Sequence, residues 1–133
     1  MKHALFLILI LSCLFCCERS EVSPDAVELK VDFTWEGYRA CDSGNPELSI
    51  VGVPENTKFL EISMFDHEYW HHHGEVTIAY GGSGKFKRGT MMEFQGPCPP
   101  GGPGRYKITV KALDADEVII GIGSKERYFP EEK

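Results

Sequence analysis

The sequence is short of basic residues: 14 lysines and arginines stand against 20 aspartates and glutamates, for a formal net charge of −6. A surface of this sign repels phosphate backbones, so nucleic acid is excluded as a partner class. It also disfavours docking on anionic lipid through charge alone. The 133 residues are too few for two domains of ordinary size, and their apolar content of 42% is that of a globular protein.

Long hydrophobic runs are lacking after the N-terminus, where Lys2 and His3 precede the apolar stretch Ala4–Leu11. A charged start followed by about 7–15 apolar residues is typical of a secretory signal peptide. The stretch is too short for a membrane-spanning helix, which needs about 20 apolar residues. We therefore interpret residues 1–17 as a signal peptide, with an uncleaved N-terminal anchor as the alternative.

Three cysteines crowd the end of this apolar stretch in a pattern similar to a bacterial lipobox. Cys17 has a leucine three residues before it, and Cys13 follows a small serine, so either cysteine is a candidate for lipidation. We expect a periplasmic protein of the bacterial cell envelope that contacts the membrane only through this N-terminal lipid anchor. Residues 18–26 are polar and predict a tether, and residues 27–133 predict one domain.

Only two cysteines, Cys41 and Cys98, follow the signal region. Export would place them in an oxidising compartment, which favours a disulfide between them. The alternative is a pair of buried, reduced cysteines that act as small hydrophobic side chains.

Helical periodicity is also lacking, because no segment repeats its apolar residues over more than about two helical turns. The dominant spacing is instead two, which indicates strands with one buried face. The clearest predicted strands cover residues 27–35, 60–64, 76–80 and 105–112, with weaker strands at 48–51 and 90–94 and a candidate final strand at 118–122. This pattern predicts an all-β sandwich or open barrel.

The first candidate site begins at Asp66, which falls on the buried face at the end of a predicted strand. Four of the five histidines follow between residues 67 and 73, and they surround Glu68. In an extended segment His71 and His73 share a face, whereas His72 points the other way. The spacing matches no specific metal motif, so we expect neither a metal nor a cofactor, and a histidine-rich polar loop is the simpler alternative.

The second candidate site is the loop that starts at Gly96 and Pro97 and leads into Tyr106. Its prolines and glycines prevent regular strand pairing and predict a stiff loop whose backbone N–H groups near Gly96 can face an anion. Tyr106 opens the next strand on its apolar face. The alternative is an ordinary turn before a core tyrosine.

Several motifs occur in a fixed order between residues 41 and 114. Asn45–Ile50 and Val53–Lys58 are similar to Ser-Pro-x-Leu-x-Trp and Val-Pro-x-x-Thr-Lys. Asp66 and Glu68 match the two acids of Asp-Pro-Asp-x-Pro, without its prolines. The segment 96–106 is similar to Gly-Pro-x-Pro-x-Gly-x-His-Arg-Tyr, with Gly104 in place of the histidine. This set resembles the phosphatidylethanolamine-binding protein family, in its bacterial Raf-kinase-inhibitor-like branch.

The resemblance implies a mainly β fold, an antiparallel Greek-key sandwich that lacks the C-terminal helices of larger members. It also implies a non-catalytic protein with a pocket for a small anion or phospholipid headgroup, in which His73 and Tyr106 donate to phosphate. Asp66 would orient the histidine and raise its pKa, or receive an ammonium group. The alternative function is an inhibitor-type module that binds a protein partner in the envelope. The implied pocket residues are Asp66, Glu68, His72, His73, Gly96, Pro97 and Tyr106.

Overall fold

The computed structural model describes residues 20–131, which form eight strands and no helix. Within these residues, nothing forms a helix long and apolar enough to cross a membrane. The predicted signal peptide and the two candidate lipidation sites, Cys13 and Cys17, lie outside the described residues. The strands are β1 (Val22–Glu28), β2 (Lys30–Thr34), β3 (Glu47–Val51), β4 (Phe59–Asp66), β5 (His71–Ala79), β6 (Lys85–Phe86), β7 (Gly104–Leu113) and β8 (Ile119–Phe129).

The strands form two sheets, one of five strands in the order β1-β8-β7-β4-β5 and one of three strands in the order β2-β3-β6. This arrangement confirms the predicted mainly β, two-sheet fold. Neighbouring strands in both sheets are antiparallel, with one exception: β1 runs parallel to β8. Both sheets and the core between them lie within residues 20–131.

The core is built from alternate residues of β4 and β7, as the period of two predicts. Leu60, Ile62 and Met64 of β4 are fully buried, and so are Val110 and Ala112 of β7. Their side chains belong to one core cluster with residues of β2 and β3, and the intervening residues on the other face are half-buried.

An aromatic cluster fills the end of the core nearest the candidate site. Trp35 lies at its centre, with its ring centroid 5.3 Å from that of Tyr38, 5.5 Å from that of Tyr106 and 5.4 Å from that of Phe129. All three contacts are edge-to-face, the geometry that aromatic rings prefer. Trp35 packs against the Tyr106 ring, and the cluster thereby fixes the Tyr106 hydroxyl at the end of the sheet.

The chain before residue 27 differs from the predicted tether, because residues 22–26 belong to β1. This strand pairs Val22 with Ile119 and Val27 with Gly121 of β8. It lies at the edge of the sheet and is largely exposed, so it carries no alternating apolar pattern that would reveal it in the sequence.

The single strand predicted over residues 27–35 is divided at Leu29, where the chain passes from β1 in one sheet to β2 in the other. Gly123 in β8 makes this crossing sterically feasible, since a Cβ atom at that position would lie 2.1 Å from the Leu29 carbonyl oxygen. Gly123 thus allows a close approach of the β8 backbone to the backbone at Leu29.

Residues 90–94 also differ from the prediction, because they form turns instead of a strand. Met91 and Phe94 are buried and anchor these turns against the core. Their apolar spacing therefore reflects two anchoring contacts and no sheet pairing.

The predicted disulfide between Cys41 and Cys98 is confirmed. It joins the segment between β2 and β3 to the loop that precedes β7. Two irregular segments that have few sheet hydrogen bonds of their own are thereby held together at one end of the sandwich.

Replacing both cysteines with serine should lower the free energy of unfolding by about 4 kcal/mol, because the unfolded chain regains the entropy of a large loop. The bridged residues are 57 positions apart in the sequence. Urea unfolding of the wild type and the double variant measures this difference. Equal stabilities would contradict the expectation, and unfolding the wild type with and without reductant provides the control.

Candidate functional site

A cavity of about 460 Å³ opens where β4 ends and β7 begins. Its walls come from the turn after β4, the start of β5 and the two segments joined by the disulfide. The residues that line it are Cys41, Asp42, Ser43, Asp66, Tyr69, His71, His73, Gln95, Gly96, Cys98, Pro99, Pro100 and Tyr106.

Asp66 is the last residue of β4 and is only 1% exposed. Its Oδ1 atom accepts hydrogen bonds from the backbone N–H groups of Glu68, at 2.8 Å, and Tyr69, at 3.2 Å. These bonds compensate part of the cost of burying a carboxylate and fix the turn after β4. In the sheet Asp66 lies directly opposite Tyr106 of β7, so the two functional groups enter the cavity side by side.

Gly104 provides the space in which these two side chains meet. A Cβ atom at this position would lie 2.6 Å from Asp66 Oδ2 and 2.6 Å from the Tyr106 hydroxyl oxygen. No side chain fits there without moving one of them. The motif that the segment resembles has a histidine at this position.

His73 lies on β5 and is 6% exposed. Its Nδ1 atom is 2.7 Å from the carbonyl oxygen of Gln95. A carbonyl oxygen only accepts hydrogen bonds, so Nδ1 carries the hydrogen. Burial lowers the pKa of His73 from its usual value, although the Gln95 carbonyl and the Asp66 charge act in the opposite direction. At neutral pH the ring is therefore uncharged, and Nε2 is an acceptor.

Burial is the largest influence on the pKa of His73 and lowers it, whereas the Asp66 charge raises it, as expected. The Gln95 carbonyl orients the ring, and desolvation outweighs the attraction of the carboxylate, so the net shift of the histidine pKa is downward. His73 becomes a donor to an anion at Nε2 only when it is protonated.

The Tyr106 hydroxyl keeps its proton across the physiological range. Burial raises the pKa of Tyr106, and the neighbouring Asp66 carboxylate raises it further. The Tyr106 ring also lies edge-to-face against the His73 ring, with centroids 5.1 Å apart. Nearer the rim, the Tyr69 hydroxyl donates to the carbonyl oxygen of Gly101 at 3.1 Å, which connects the turn after β4 to the loop before β7.

Of the predicted pocket residues, four line the cavity: Asp66, His73, Gly96 and Tyr106. The other three do not. Glu68 is exposed, with its carboxylate 4.0 Å from the Arg105 guanidinium. His72 faces the outside of the sheet, with its ring centroid 6.5 Å from that of Phe65, and Pro97 is fully buried.

Nine lining residues are absent from the predicted pocket set. Four of them, Cys41, Cys98, Pro99 and Pro100, belong to the predicted disulfide and loop, and the other five are Asp42, Ser43, Tyr69, His71 and Gln95. Strand alternation was a sufficient signal for His71, whose ring lies 4.8 Å from that of His73 on the same face. Asp42, Ser43 and Gln95 lie in irregular segments without periodicity, and only the folded chain brings them to the site.

Comparisons of the sequence find no matching family model and no matching curated protein. Comparisons of the structure do find matches. A phosphatidylethanolamine-binding protein homologue of Chlamydia trachomatis matches with a TM-score of 0.58 and 17% identity, over 82% of this chain and 99% of the other. The chain has the phosphatidylethanolamine-binding protein fold. The resemblance drawn from the sequence motifs is thereby confirmed at the level of the fold.

A second structure with this fold is YbcL of E. coli, described as a member of the mammalian phosphatidylethanolamine-binding protein family. It matches with a TM-score of 0.53 and 18% identity, over 86% of this chain and 92% of the other. Both matches span nearly the whole of the other protein.

Gly104→Ala should destabilise the fold by about 1–3 kcal/mol, because the added methyl group overpacks a site between two buried side chains. Gly101→Ala is the matched control, since a Cβ atom there meets nothing within 4 Å. Thermal unfolding of both variants measures the difference. A Gly104→Ala protein as stable as the control would contradict the described packing of Asp66 and Tyr106.

Proposed function

We propose that the cavity binds a small ligand that carries both a phosphate and an ammonium group, as in the zwitterionic headgroup phosphoethanolamine. The observation that carries this proposal is the convergence of the Asp66 carboxylate, the neutral His73 ring and the Tyr106 hydroxyl on one cavity. Its volume of about 460 Å³ is within the usual range for small-molecule sites.

The negative charge of the cavity favours binding of the ammonium end of the ligand. Asp42 and Asp66 are the charged residues among the described side chains that line the cavity. An ammonium group beside Asp66 would neutralise a buried charge and make strong, charge-assisted hydrogen bonds. The acceptor Nε2 of His73 provides a second partner for an ammonium N–H.

The phosphate end needs donors, and Tyr106 and Ser43 supply hydroxyl groups. The Tyr106 hydroxyl is next to the Asp66 carboxylate. When an ammonium group binds the Asp66 carboxylate, the Tyr106 hydroxyl is free to donate to a phosphate oxygen. Binding of the ammonium group therefore favours binding of the phosphate group of the same ligand. A bare anion lacks this effect and is repelled by the carboxylates of the cavity.

We also propose that the protein binds its ligand without chemical conversion, and that it does so on the exported side of a bacterial envelope. In support of the first point, the Cys98 sulfur is held in a disulfide and is not available as a thiolate nucleophile. In support of the second, disulfides persist in oxidising compartments, and the N-terminal sequence pattern is that of an export signal.

The affinity for a bare anion should rise as the pH falls. His73 Nε2 gains a proton only below the usual histidine range near pH ~6.5, because burial lowers its pKa, and a bound anion favours that protonated form. Calorimetric titration with sulfate between pH 8 and pH 5 measures this dependence. Sulfate keeps its charge over the whole range, so the ligand's own titration does not contribute. An affinity that does not change with pH would exclude His73 as a donor.

Asp66→Asn should weaken the binding of phosphoethanolamine by about tenfold or more, because the ammonium group loses a charged partner. The same substitution should leave the affinity for inorganic phosphate unchanged or higher, because it removes a negative charge from the cavity. The asparagine oxygen can still accept the backbone N–H groups of Glu68 and Tyr69, which preserves the turn.

Calorimetry with both ligands on the wild type and the variant separates these effects. A matched control is Asp116→Asn, which removes a charge from an exposed turn between β7 and β8. A parallel loss of both ligands, or no loss of phosphoethanolamine, would contradict the proposed role of Asp66.

A further inference from the structure

One edge of the five-stranded sheet is open along residues 75–79 of β5. This strand pairs only with β4, on one side. The other side of β5 is covered at its beginning, where the Gln95 N–H group donates to the His73 carbonyl oxygen at 2.7 Å. After Gly74 the described residues provide no further hydrogen bond to this side. The chain that follows the strand is also open to solvent, since a Cβ atom at Gly81 would meet nothing within 4 Å.

The backbone groups along this edge are available for another strand. Along an antiparallel strand, the N–H and C=O groups of alternate residues point to opposite sides. The Tyr80 N–H group donates toward β4, to the Lys58 carbonyl oxygen at 2.8 Å, so the even-numbered residues of this part of β5 face β4. The groups of Glu75, Thr77 and Ala79 therefore point away from β4, and within the described part of the chain they have no hydrogen-bond partner. Such a row of donors and acceptors is a template for strand addition.

The outer strands at the other edges of the two described sheets carry features that hinder strand addition. Strand β1 contains Pro24, which has no N–H group, and β6 has only two residues. Strand β2 presents the charged side chains of Lys30 and Asp32, and Asp32 accepts a hydrogen bond from Arg127 of β8 at 2.8 Å. Residues 75–79 contain neither proline nor glycine, and the β-branched residues at their centre favour an extended strand. Among the described strands, β5 therefore has the edge best suited to a partner strand.

The inner face of the same segment is incompletely covered. Val76 and Ile78 pack against the core but are only half-buried. Their neighbours in β4 are Ile62, directly opposite Val76, and Leu60, directly opposite Ile78, and both are fully buried. Apolar surface is thus exposed at the open edge, and a further strand at this edge would cover it.

We propose that residues 75–79 bind the same segment of a second copy of this protein, in an antiparallel pair centred on Thr77. In this pair Val76 lies opposite Ile78 of the second copy, so the apolar side chains cover each other on the inner face. Glu75 lies opposite Ala79 of the second copy, so the two carboxylates are not directly opposed. The segment is therefore complementary to itself, and the two five-stranded sheets form one continuous sheet about a two-fold axis.

This pairing leaves the cavity accessible. His71 and His73 line the cavity at the beginning of β5, whereas the paired segment starts after Gly74. The dimer therefore carries two cavities, and its formation does not depend on the proposed ligand. The net charge of −6 on each copy opposes association at long range, so the dimer should become tighter when added salt screens this repulsion.

Sedimentation equilibrium of the chain from residue 18 onward, which contains both sheets, measures the dimer Kd at an ionic strength of about 0.15 M. Thr77→Pro removes an N–H group that faces away from β4, so it spares the pairing with β4 and should raise the Kd by about tenfold or more. Thr77→Ser keeps this N–H group and should leave the Kd unchanged. A wild type that stays monomeric up to millimolar concentration, or a dimer that Thr77→Pro does not weaken, would overturn the inference.

A pair of charge variants tests the register without changing the backbone. Ala79 is exposed and lies opposite Glu75 of the second copy, so Ala79→Lys should tighten the dimer and Ala79→Glu should weaken it. The two Kd values should differ by about tenfold, because the pair occurs twice in the dimer. Val22→Lys and Val22→Glu are the matched controls, since they change the net charge equally on the exposed strand β1. A difference at position 79 that is no larger than the difference at position 22, or that has the opposite sign, would overturn the inference.

Discussion

The register between β4 and β7 is the constraint on which the site depends. It places Asp66 directly opposite Tyr106, on the face where Leu60, Ile62 and Met64 form the core. Because side chains alternate along a strand, a shift of one residue would turn the carboxylate or the phenol to the solvent side. The apolar residues of β4 and β7 therefore specify the position of two polar groups at the end of the sheet.

The electrostatic character of the cavity follows from burial at this strand end. Backbone N–H groups of the turn after β4 stabilise the Asp66 carboxylate. The same hydrogen bonds fix the turn, which forms part of the cavity wall. Desolvation keeps His73 neutral, and the Gln95 carbonyl fixes its hydrogen on Nδ1. The cavity thus offers acceptors and a negative charge at neutral pH, which favours a ligand with a cationic end.

The alternating pattern was sufficient to predict the β fold, the buried positions of Asp66 and Tyr106 and the shared face of His71 and His73. The disulfide followed from the number of cysteines after the signal region. The pattern could not predict β1, because an exposed edge strand needs no apolar face. It also could not predict the contribution of Gln95, since hydrogen bonds from irregular segments depend on tertiary contacts that have no sequence period.

The proposed binding of phosphoethanolamine beside a neutral His73 can be tested by long-range ¹H–¹⁵N NMR of the histidine side chains. Spectra are recorded at neutral pH with and without phosphoethanolamine. We predict that His73 in the free protein is neutral, with its hydrogen on Nδ1, and that its Nε2 resonance shifts when the ligand binds. The exposed His72 should show no such shift. A free His73 with its hydrogen on Nε2, or a His73 resonance unchanged at saturating ligand, would contradict the account.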